Sequence, residues 1–169
     1  AEAAPGRFVL GVGTSSNVIV ENWNSTPFEA PYAKVRDTLA FLKAAMTGEK
    51  VTKDYETFSI KGFRMGFAPP VPPTVLLAAL RPGMLRLAGR DADGAITNWL
   101  APKDVPAVAG ALAEGGQNKE LAARIFVAPT DDKDMARAVG RFAIAAYLTV
   151  PVYRAFHEWL GRGELMAPM

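Results

Sequence analysis

The sequence contains no cysteine and a single histidine among its 169 residues. Without cysteine the chain can form no disulfide scaffold, no thiol nucleophile and no thiolate metal site. One histidine argues against a histidine-built metal centre and against a Ser-His-Asp triad, and we expect no metal. His157 lies on a late helical pattern beside Phe156 and Trp159, so we assign it a packing role and no chemistry.

An excess of either charge is also missing. The 19 Lys and Arg residues are interspersed with 17 Asp and Glu residues, and the net charge is only +2. No basic stripe results, so we expect no nucleic-acid partner. No apolar stretch reaches the roughly 20 residues that a membrane helix needs. The N-terminus has no signal pattern and starts as though within a larger fold, so we expect a cytoplasmic location and no membrane partner.

Short apolar runs alternate with helical patterns along the chain, which is typical of βα units in a parallel sheet. The four predicted strands are 7–12, 74–79, 95–99 and 123–128. Four helices are predicted. The first covers 33–46, the second starts at Pro82, the third covers 102–112, and the fourth starts after its predicted N-cap, Thr130. The last helix has a predicted core face of Met135, Val139, Phe142 and Ala146, is broken at Pro151, and continues as a stripe to Gly161.

Two segments interrupt this pattern. Residues 14–31 are polar and not periodic, which predicts a long loop after a strand end, where function tends to lie. Residues 51–73 predict an insertion between βα units. Within it, Thr57–Ile60 alternates polar with apolar, Lys61-Gly62 is the predicted turn, and 63–65 is the predicted return strand of a hairpin.

The count of βα units predicts an incomplete barrel. About eight units close a (β/α)8 barrel, and this chain supplies four with one hairpin insertion. An open four-stranded sheet covered on one side would expose an apolar inner face and two unpaired edges. We therefore expect an α/β fold, one partial barrel domain over residues 1–169, completed by the remainder of a barrel or by a second copy. A small doubly wound sheet is the alternative.

Two strand ends suggest a ligand site. Gly11-Val12-Gly13 follows a strand but lacks the third glycine of a dinucleotide fingerprint, so it indicates a sharp turn with amides free to face a ligand. The segment Ala78–Met84 leads from a strand into a helix, where free amides and Arg81 would suit a phosphate; a tight loop with a solvated Arg81 is an equal reading.

Other polar and aromatic residues near strand ends have ordinary explanations as well. Trp23 and Trp99 follow strand carboxyl ends, where either could contact a flat ligand or substrate, or serve as a rim contact. Asp91 and Asp93 precede the third strand, at the stability face of a barrel, and are predicted turn residues.

Several blocks of this sequence resemble the luciferase-like monooxygenase superfamily, and most of all its oxidoreductases that depend on the deazaflavin coenzyme F420. The likeness covers nearly the whole chain. The blocks are Arg7–Gly13, Val20–Asn24 with Pro27-Phe28, Ala78–Arg90 and Asp93–Ile96. The resemblance implies a (β/α)8 barrel with an insertion between strands four and five, of which this chain matches strands four to seven.

The resemblance also implies a site. It places the cofactor in the mouth of the barrel, its phosphate near the loop after strand five, and hydride transfer at C5 of the deazaflavin. The implied cofactor contacts are Gly11, Gly13 and Thr14 after strand four and Ala79, Leu80, Arg81 and Pro82 after strand five. Some members have a Glu where this chain has Ser16, so no general acid is assigned; Glu21 lies in the same loop.

Three functions therefore compete. The leading hypothesis is an oxidoreductase that transfers hydride between coenzyme F420 and an unidentified small organic substrate, with the cofactor supplying the chemistry. The second keeps the barrel but uses FMN, as a monooxygenase. The third is a catalytically silent half-barrel that acts as an assembly module through its sheet edges.

Overall fold

The computed structural model describes residues 1–166, in which short strands alternate with helices. The elements, in chain order, are β1 (Val9–Val12), a π-helix (Val18–Trp23), α1 (Pro31–Ala45), β2 (Val51–Asp54), β3 (Ser59–Phe63), β4 (Thr74–Ala78), α2 (Pro82–Asp91), β5 (Gly94–Asn98), a 3-10 turn (Pro102–Asp104), α3 (Val105–Ala113), β6 (Glu120–Arg124), α4 (Lys133–Leu148), α5 (Pro151–His157), a second π-helix (Glu158–Arg162) and a 3-10 turn (Glu164–Met166).

Four strands form one parallel sheet in the order β1-β4-β5-β6. The register places Gly11 beside Leu76 and Leu76 beside Gly94. Ala78 lies beside Ile96 in the same way. Because paired residues of parallel strands share a face, these side chains lie on the same side of the sheet. Within residues 1–166, β1 and β6 each pair along one edge only, as expected for part of a barrel.

The core lies between this sheet and the helices. Val75, Leu77 and Ala95 on the strands are at most 1% exposed and join one cluster with buried residues of α1, α2, α3 and α5. The helical members include Leu39, Leu85, Leu87, Val108 and Phe156, each fully buried. The opposite, inward face carries small residues at Gly11, Ala78 and Gly94 and a polar one at Asn98, beside the larger apolar Leu76 and Ile96.

The insertion is a hairpin, but its turn is not where the sequence predicted it. β2 pairs with β3, and the connection is Tyr55–Phe58. Lys61-Gly62 lies inside β3 at an irregularity in the register, with Gly62 at φ +70°. A bulge accommodates that positive φ, so the glycine bends a strand here and does not reverse the chain.

Asp37 of α1 anchors the tip of this hairpin. Its carboxylate accepts hydrogen bonds from the Thr57 amide (2.9 Å) and hydroxyl (3.0 Å). Arg36 donates to the other oxygen of the same carboxylate and bridges to Glu56 at 2.8 Å. Burial opposes ionisation of Asp37, but the hydrogen bonds from Arg36 and Thr57 outweigh it and lower its pKa. The hairpin is thereby fixed to the βα layer.

The fourth parallel strand lies three residues earlier than predicted. β6 covers Glu120–Arg124 and pairs with β5 until Asn98 meets Arg124. Trp99 then takes a positive φ of 56°, which ends β5 and leaves residues beyond Arg124 without a neighbouring strand. Ile125 and Val127 are 77% and 72% exposed, so apolar character at 125–128 did not indicate pairing.

The predicted features of α4 are also partly wrong. Asp132 is its N-cap, accepting from the amides of Asp134 (2.9 Å) and Met135 (3.0 Å), while the Thr130 hydroxyl accepts from the Asp132 amide. The expected core face is uncovered: Met135 is 57% and Phe142 is 78% exposed. In the described part of the chain no other element covers this stripe, although its helical spacing is correct.

The chain bends sharply after α4, as the proline predicted. α4 ends at Leu148, and Pro151 is the first residue of α5. Within residues 1–166 no single helix has the length and hydropathy of a membrane span; α4 and Pro151–Arg162 reach them only when taken together, across a bend of 103°.

Candidate functional site

Every predicted cofactor contact lies near the carboxyl ends of the parallel strands. β1, β4, β5 and β6 point the same way, so the residues that follow Val12, Ala78, Asn98 and Arg124 meet at their carboxyl ends. In α/β barrels this is the edge where ligands bind, because the connecting loops there are free to vary. At the amino ends of the strands the contacts are structural. The Asp93 carboxylate accepts a hydrogen bond from the Val75 amide at 2.8 Å, as expected of a turn residue.

The end of β1 requires glycine for close packing. A Cβ atom on Gly13 would lie 2.9 Å from the Cβ of Ala78, closer than two methyl carbons can approach. A Cβ on Gly11 would lie 3.4 Å from Cδ1 of Ile96, which is tight but tolerable. Thr14 follows, half-buried, with its hydroxyl donating to the Ser15 carbonyl at 3.4 Å. Gly13 therefore lets the chain after β1 pass close to Ala78 at the end of β4. Because glycine has no side chain, its backbone is exposed at this strand end.

The loop after β4 offers one cation and a helix N-terminus. Ala79 is 2% exposed and its amide donates to the Ile96 carbonyl (2.9 Å), while Leu80 packs against the core. Their side chains therefore face the protein interior. Arg81 is exposed, and Pro82 is the first residue of α2.

α2 begins without the groups that usually neutralise a helix N-terminus. No side chain caps it, and its first turn contains no acidic residue. Free amides and the positive end of the helix dipole therefore remain beside the Arg81 guanidinium. An anion bound there would meet both the helix N-terminus and the Arg81 guanidinium.

Trp99, after β5, belongs to an aromatic cluster. Its ring stacks on Phe126 at 5.7 Å and lies 4.8 Å from Tyr147, which meets Tyr153 edge-on at 4.8 Å. The Asn98 amide donates to the Tyr153 hydroxyl at 3.2 Å. The ring faces of Trp99 are thus largely taken by protein, and the cluster joins the far end of α4 to the carboxyl edge of the sheet.

Arg124 gives this cluster a charged member. Its guanidinium donates to the Tyr147 hydroxyl at 3.4 Å, and this hydrogen bond lowers the pKa of Tyr147 below the ordinary phenol value. Sequence reasoning did not identify Arg124 or Tyr147, which lie 23 residues apart. Their shared position depends on where α4 ends, and no local motif reports that.

Trp23 is in a different environment. It ends the first π-helix and is 73% exposed, on the loop that follows β1. Glu21, two residues earlier, accepts a hydrogen bond from the Phe28 amide at 3.4 Å and so holds the loop. The structure thus places the two predicted substrate tryptophans on separate loops, one open and one packed.

A buried ion pair lies beyond β5 that the sequence also did not reveal. Asp104 accepts from the Ala101 amide (2.6 Å) and from Arg162, 58 residues away. Burial opposes ionisation of Asp104, but these hydrogen bonds outweigh it and lower its pKa. His157 lies nearby; burial first and the Arg162 charge second lower its pKa, so it is neutral at pH 7. The Asp104–Arg162 pair joins the second π-helix to the 3-10 turn that precedes α3.

The sequence profile of luciferase-like monooxygenases matches residues 1–168. The chain belongs to this family. Relatives include a 5,10-methylenetetrahydromethanopterin reductase of Archaeoglobus fulgidus, 30% identical over 151 residues that cover 85% of this chain and 45% of the relative. An F420-dependent glucose-6-phosphate dehydrogenase of Beutenbergia cavernae is 33% identical over 150 residues, covering 80% and 43%.

A solved structure agrees with this assignment at the level of the fold. An F420-dependent secondary alcohol dehydrogenase, in complex with an F420-acetone adduct, matches with a TM-score of 0.61 at 18% identity, over 72% of this chain and 40% of the other. The expected barrel fold and the family resemblance are confirmed, and the doubly wound alternative is not supported. The chain spans about half the length of the curated relatives it matches.

Proposed function

We propose that this luciferase-like chain forms part of an oxidoreductase that uses coenzyme F420 and a small organic substrate. The observation that carries the proposal is the family match together with two curated relatives: a 5,10-methylenetetrahydromethanopterin reductase and an enzyme named as F420-dependent. When bound, the deazaflavin accepts or donates a hydride at C5. The protein's part is to bind and orient it.

The described residues fit the phosphate end of such a cofactor. Arg81 is exposed beside the uncapped N-terminus of α2, and an anion there would meet both a guanidinium and free amides. Gly13 narrows the gap between β1 and β4, so backbone at the end of β1 lies beside the loop after β4. The proposed cofactor contacts at the end of β1 are then Gly11, Gly13 and Thr14. After β4 they are the backbone of Ala79–Pro82 and the side chain of Arg81.

The pocket for the ring requires further strands. Four parallel strands with free outer edges cover half of an eight-stranded barrel. We propose that the missing wall comes from the remainder of a barrel or from a second copy of this chain. Trp23, open on the loop after β1, is the proposed substrate contact, and Trp99 supports the same edge from within the aromatic cluster.

Binding of coenzyme F420 to the 169-residue chain, followed by fluorescence, tests the cofactor assignment. We expect saturable binding, and Arg81→Ala should weaken it about 10- to 100-fold, because a charge-assisted hydrogen bond contributes about 1.5–3 kcal/mol. Arg141→Ala is the matched control, since it removes another exposed arginine from α4, far along the chain, and should leave binding unchanged.

The same titration separates the competing functions. Tighter binding of FMN than of F420 would favour an FMN-dependent monooxygenase. Absence of binding by either cofactor would favour an assembly module, which the exposed Ile125 and Val127 beside the free edge of β6 would suit. A chain that binds F420 equally well with and without Arg81 would contradict the proposed phosphate site.

A further inference from the structure

A small cavity lies at the carboxyl end of β1, on the side of the sheet that α1 covers. Its volume is about 140 Å³. Three parts of the chain enclose it: the end of β1, the loop that follows, and the first two turns of α1. We call it the β1-end cavity; it is lined by Val12, Gly13, Thr14, Val20, Thr26, Pro27, Phe28, Glu29, Pro31, Lys34, Val35 and Thr38.

The loop over this cavity is held by its own hydrogen bonds. The Thr26 amide donates to the Val20 carbonyl at 3.0 Å, and the Phe28 amide donates to the Glu21 carboxylate at 3.4 Å. Ala30, in the left-handed region at φ 43°, then turns the chain into α1. Because these contacts shape the loop without a ligand, the cavity is formed in advance, which lowers the entropy cost of binding.

The lining selects against charge. Most of the wall is apolar, from valine, proline and phenylalanine side chains, and its uncharged polar side chains are threonines, whose hydroxyls donate to backbone carbonyls and can still accept a hydrogen bond. Lys34 and Glu29 lie at the mouth, both exposed and of opposite sign. A charged ligand would lose hydration against the apolar wall and gain no net attraction from the mouth. A neutral molecule loses much less.

The volume of the cavity limits the size of the ligand. A dry apolar cavity of about 150 Å³ accommodates a benzene molecule. We propose that the β1-end cavity is a binding site for a small neutral organic molecule of about six to eight non-hydrogen atoms, with an apolar body and one hydroxyl group that donates to a threonine hydroxyl. The cavity shares Gly13 and Thr14 with the proposed cofactor contacts but is not lined by Arg81, so the proposal rests on the cavity's own lining and not on the anion site.

Phenol is a suitable probe, and amide chemical shifts of the 15N-labelled 169-residue chain report its position. We expect saturable, millimolar binding with the largest shifts at Val20, Thr26 and Val35. Benzoate, of similar shape but charged, should bind at least about tenfold more weakly. Shifts confined to other parts of the chain, or benzoate binding as tightly as phenol, would overturn the proposal.

Variants that fill the cavity give the second test. Val20→Phe should weaken phenol binding at least about tenfold, whereas Val18→Phe adds the same ring at a 49% exposed position of the same π-helix and should have no effect. Thr38→Leu fills the cavity from the α1 wall and guards against a disturbed loop in Val20→Phe. Unchanged phenol affinity in both filling variants would refute the site.

Discussion

Replacement of Gly13 by Ala tests whether the glycine serves close packing of the strand ends. The added Cβ would lie 2.9 Å from the Cβ of Ala78; Gly13 directly follows β1 and Ala78 ends β4, and because these strands are paired the two residues cannot move apart freely. Crowding of this kind costs about 1–3 kcal/mol. Gly13 has no positive φ, so alanine adopts its backbone conformation and regains up to about 1 kcal/mol by restricting the unfolded chain. We expect a net loss of about 1–2 kcal/mol.

A double-mutant cycle isolates the contact. Ala78→Gly removes the opposing methyl and should cost about 0.5–1 kcal/mol by itself, through backbone entropy. In the double variant the clash is gone, so the two changes should be coupled in the favourable direction by about the cost of the clash, about 1–3 kcal/mol. Urea unfolding followed by circular dichroism measures all four free energies of unfolding.

Gly110→Ala is the matched control for the backbone effect. Nothing lies within 4 Å of a Cβ placed on Gly110, which is inside α3, and alanine there should raise stability by about 1 kcal/mol. The reasoning is refuted if Gly13→Ala is as stable as the parent, or if Ala78→Gly fails to relieve its cost. In either case Gly13 would be needed for another reason, such as access of a ligand to the backbone.

Three further predictions concern Asp37, the Arg124–Tyr147 pair and Trp23. Asp37→Asn should lower the free energy of unfolding by about 1–3 kcal/mol at pH 7, because Thr57 and Arg36 lose a charged acceptor. Since the folded-state pKa of Asp37 is lowered, this contribution is fully present above the unfolded value near pH 4 and is lost as the pH falls through the lower folded-state value; an equal loss at pH 2.5 and pH 7 would contradict it. Arg124→Leu should raise the pKa of Tyr147, measured by ultraviolet titration of the phenol against Tyr147→Phe; an unchanged titration would show that the pair does not form. Trp23→Ala should change stability by less than about 0.5 kcal/mol, because the side chain is 73% exposed, while changing substrate kinetics; equal loss of both would count against a substrate role.

Local sequence patterns located elements that do not depend on distant partners. The run at 75–79 is apolar at successive positions and short, which is typical of a strand buried on both faces, and β4 was predicted to within one residue. Pro82 and Pro151 begin α2 and α5 because proline lacks the amide that a helix interior requires. The count of four βα units likewise predicted part of a barrel, and the family blocks named the barrel's type.

Positions that depend on pairing could not be read locally. The apolar run at 125–128 predicted a strand, but β6 is displaced to Glu120–Arg124 because β5 ends at Trp99 and offers no further partner. Gly62 suggested a turn from its residue type, and only the register of β2 against β3 shows that it forms a bulge. The aromatic cluster requires that α4 return to the carboxyl edge of the sheet, which its amphipathic stripe does not encode.

The sequence by itself determined the class of fold and the family, because hydrophobic period, proline and family motifs act over a few residues; the ligand site at the carboxyl ends of the strands stays a prediction. Only the tertiary structure decided which side chains meet there. Asp37 with Thr57, Arg124 with Tyr147 and Asp104 with Arg162 are separated by 20, 23 and 58 residues. Their contacts arise from how strands and helices pack in three dimensions, and residue spacing along the chain carries no record of that packing.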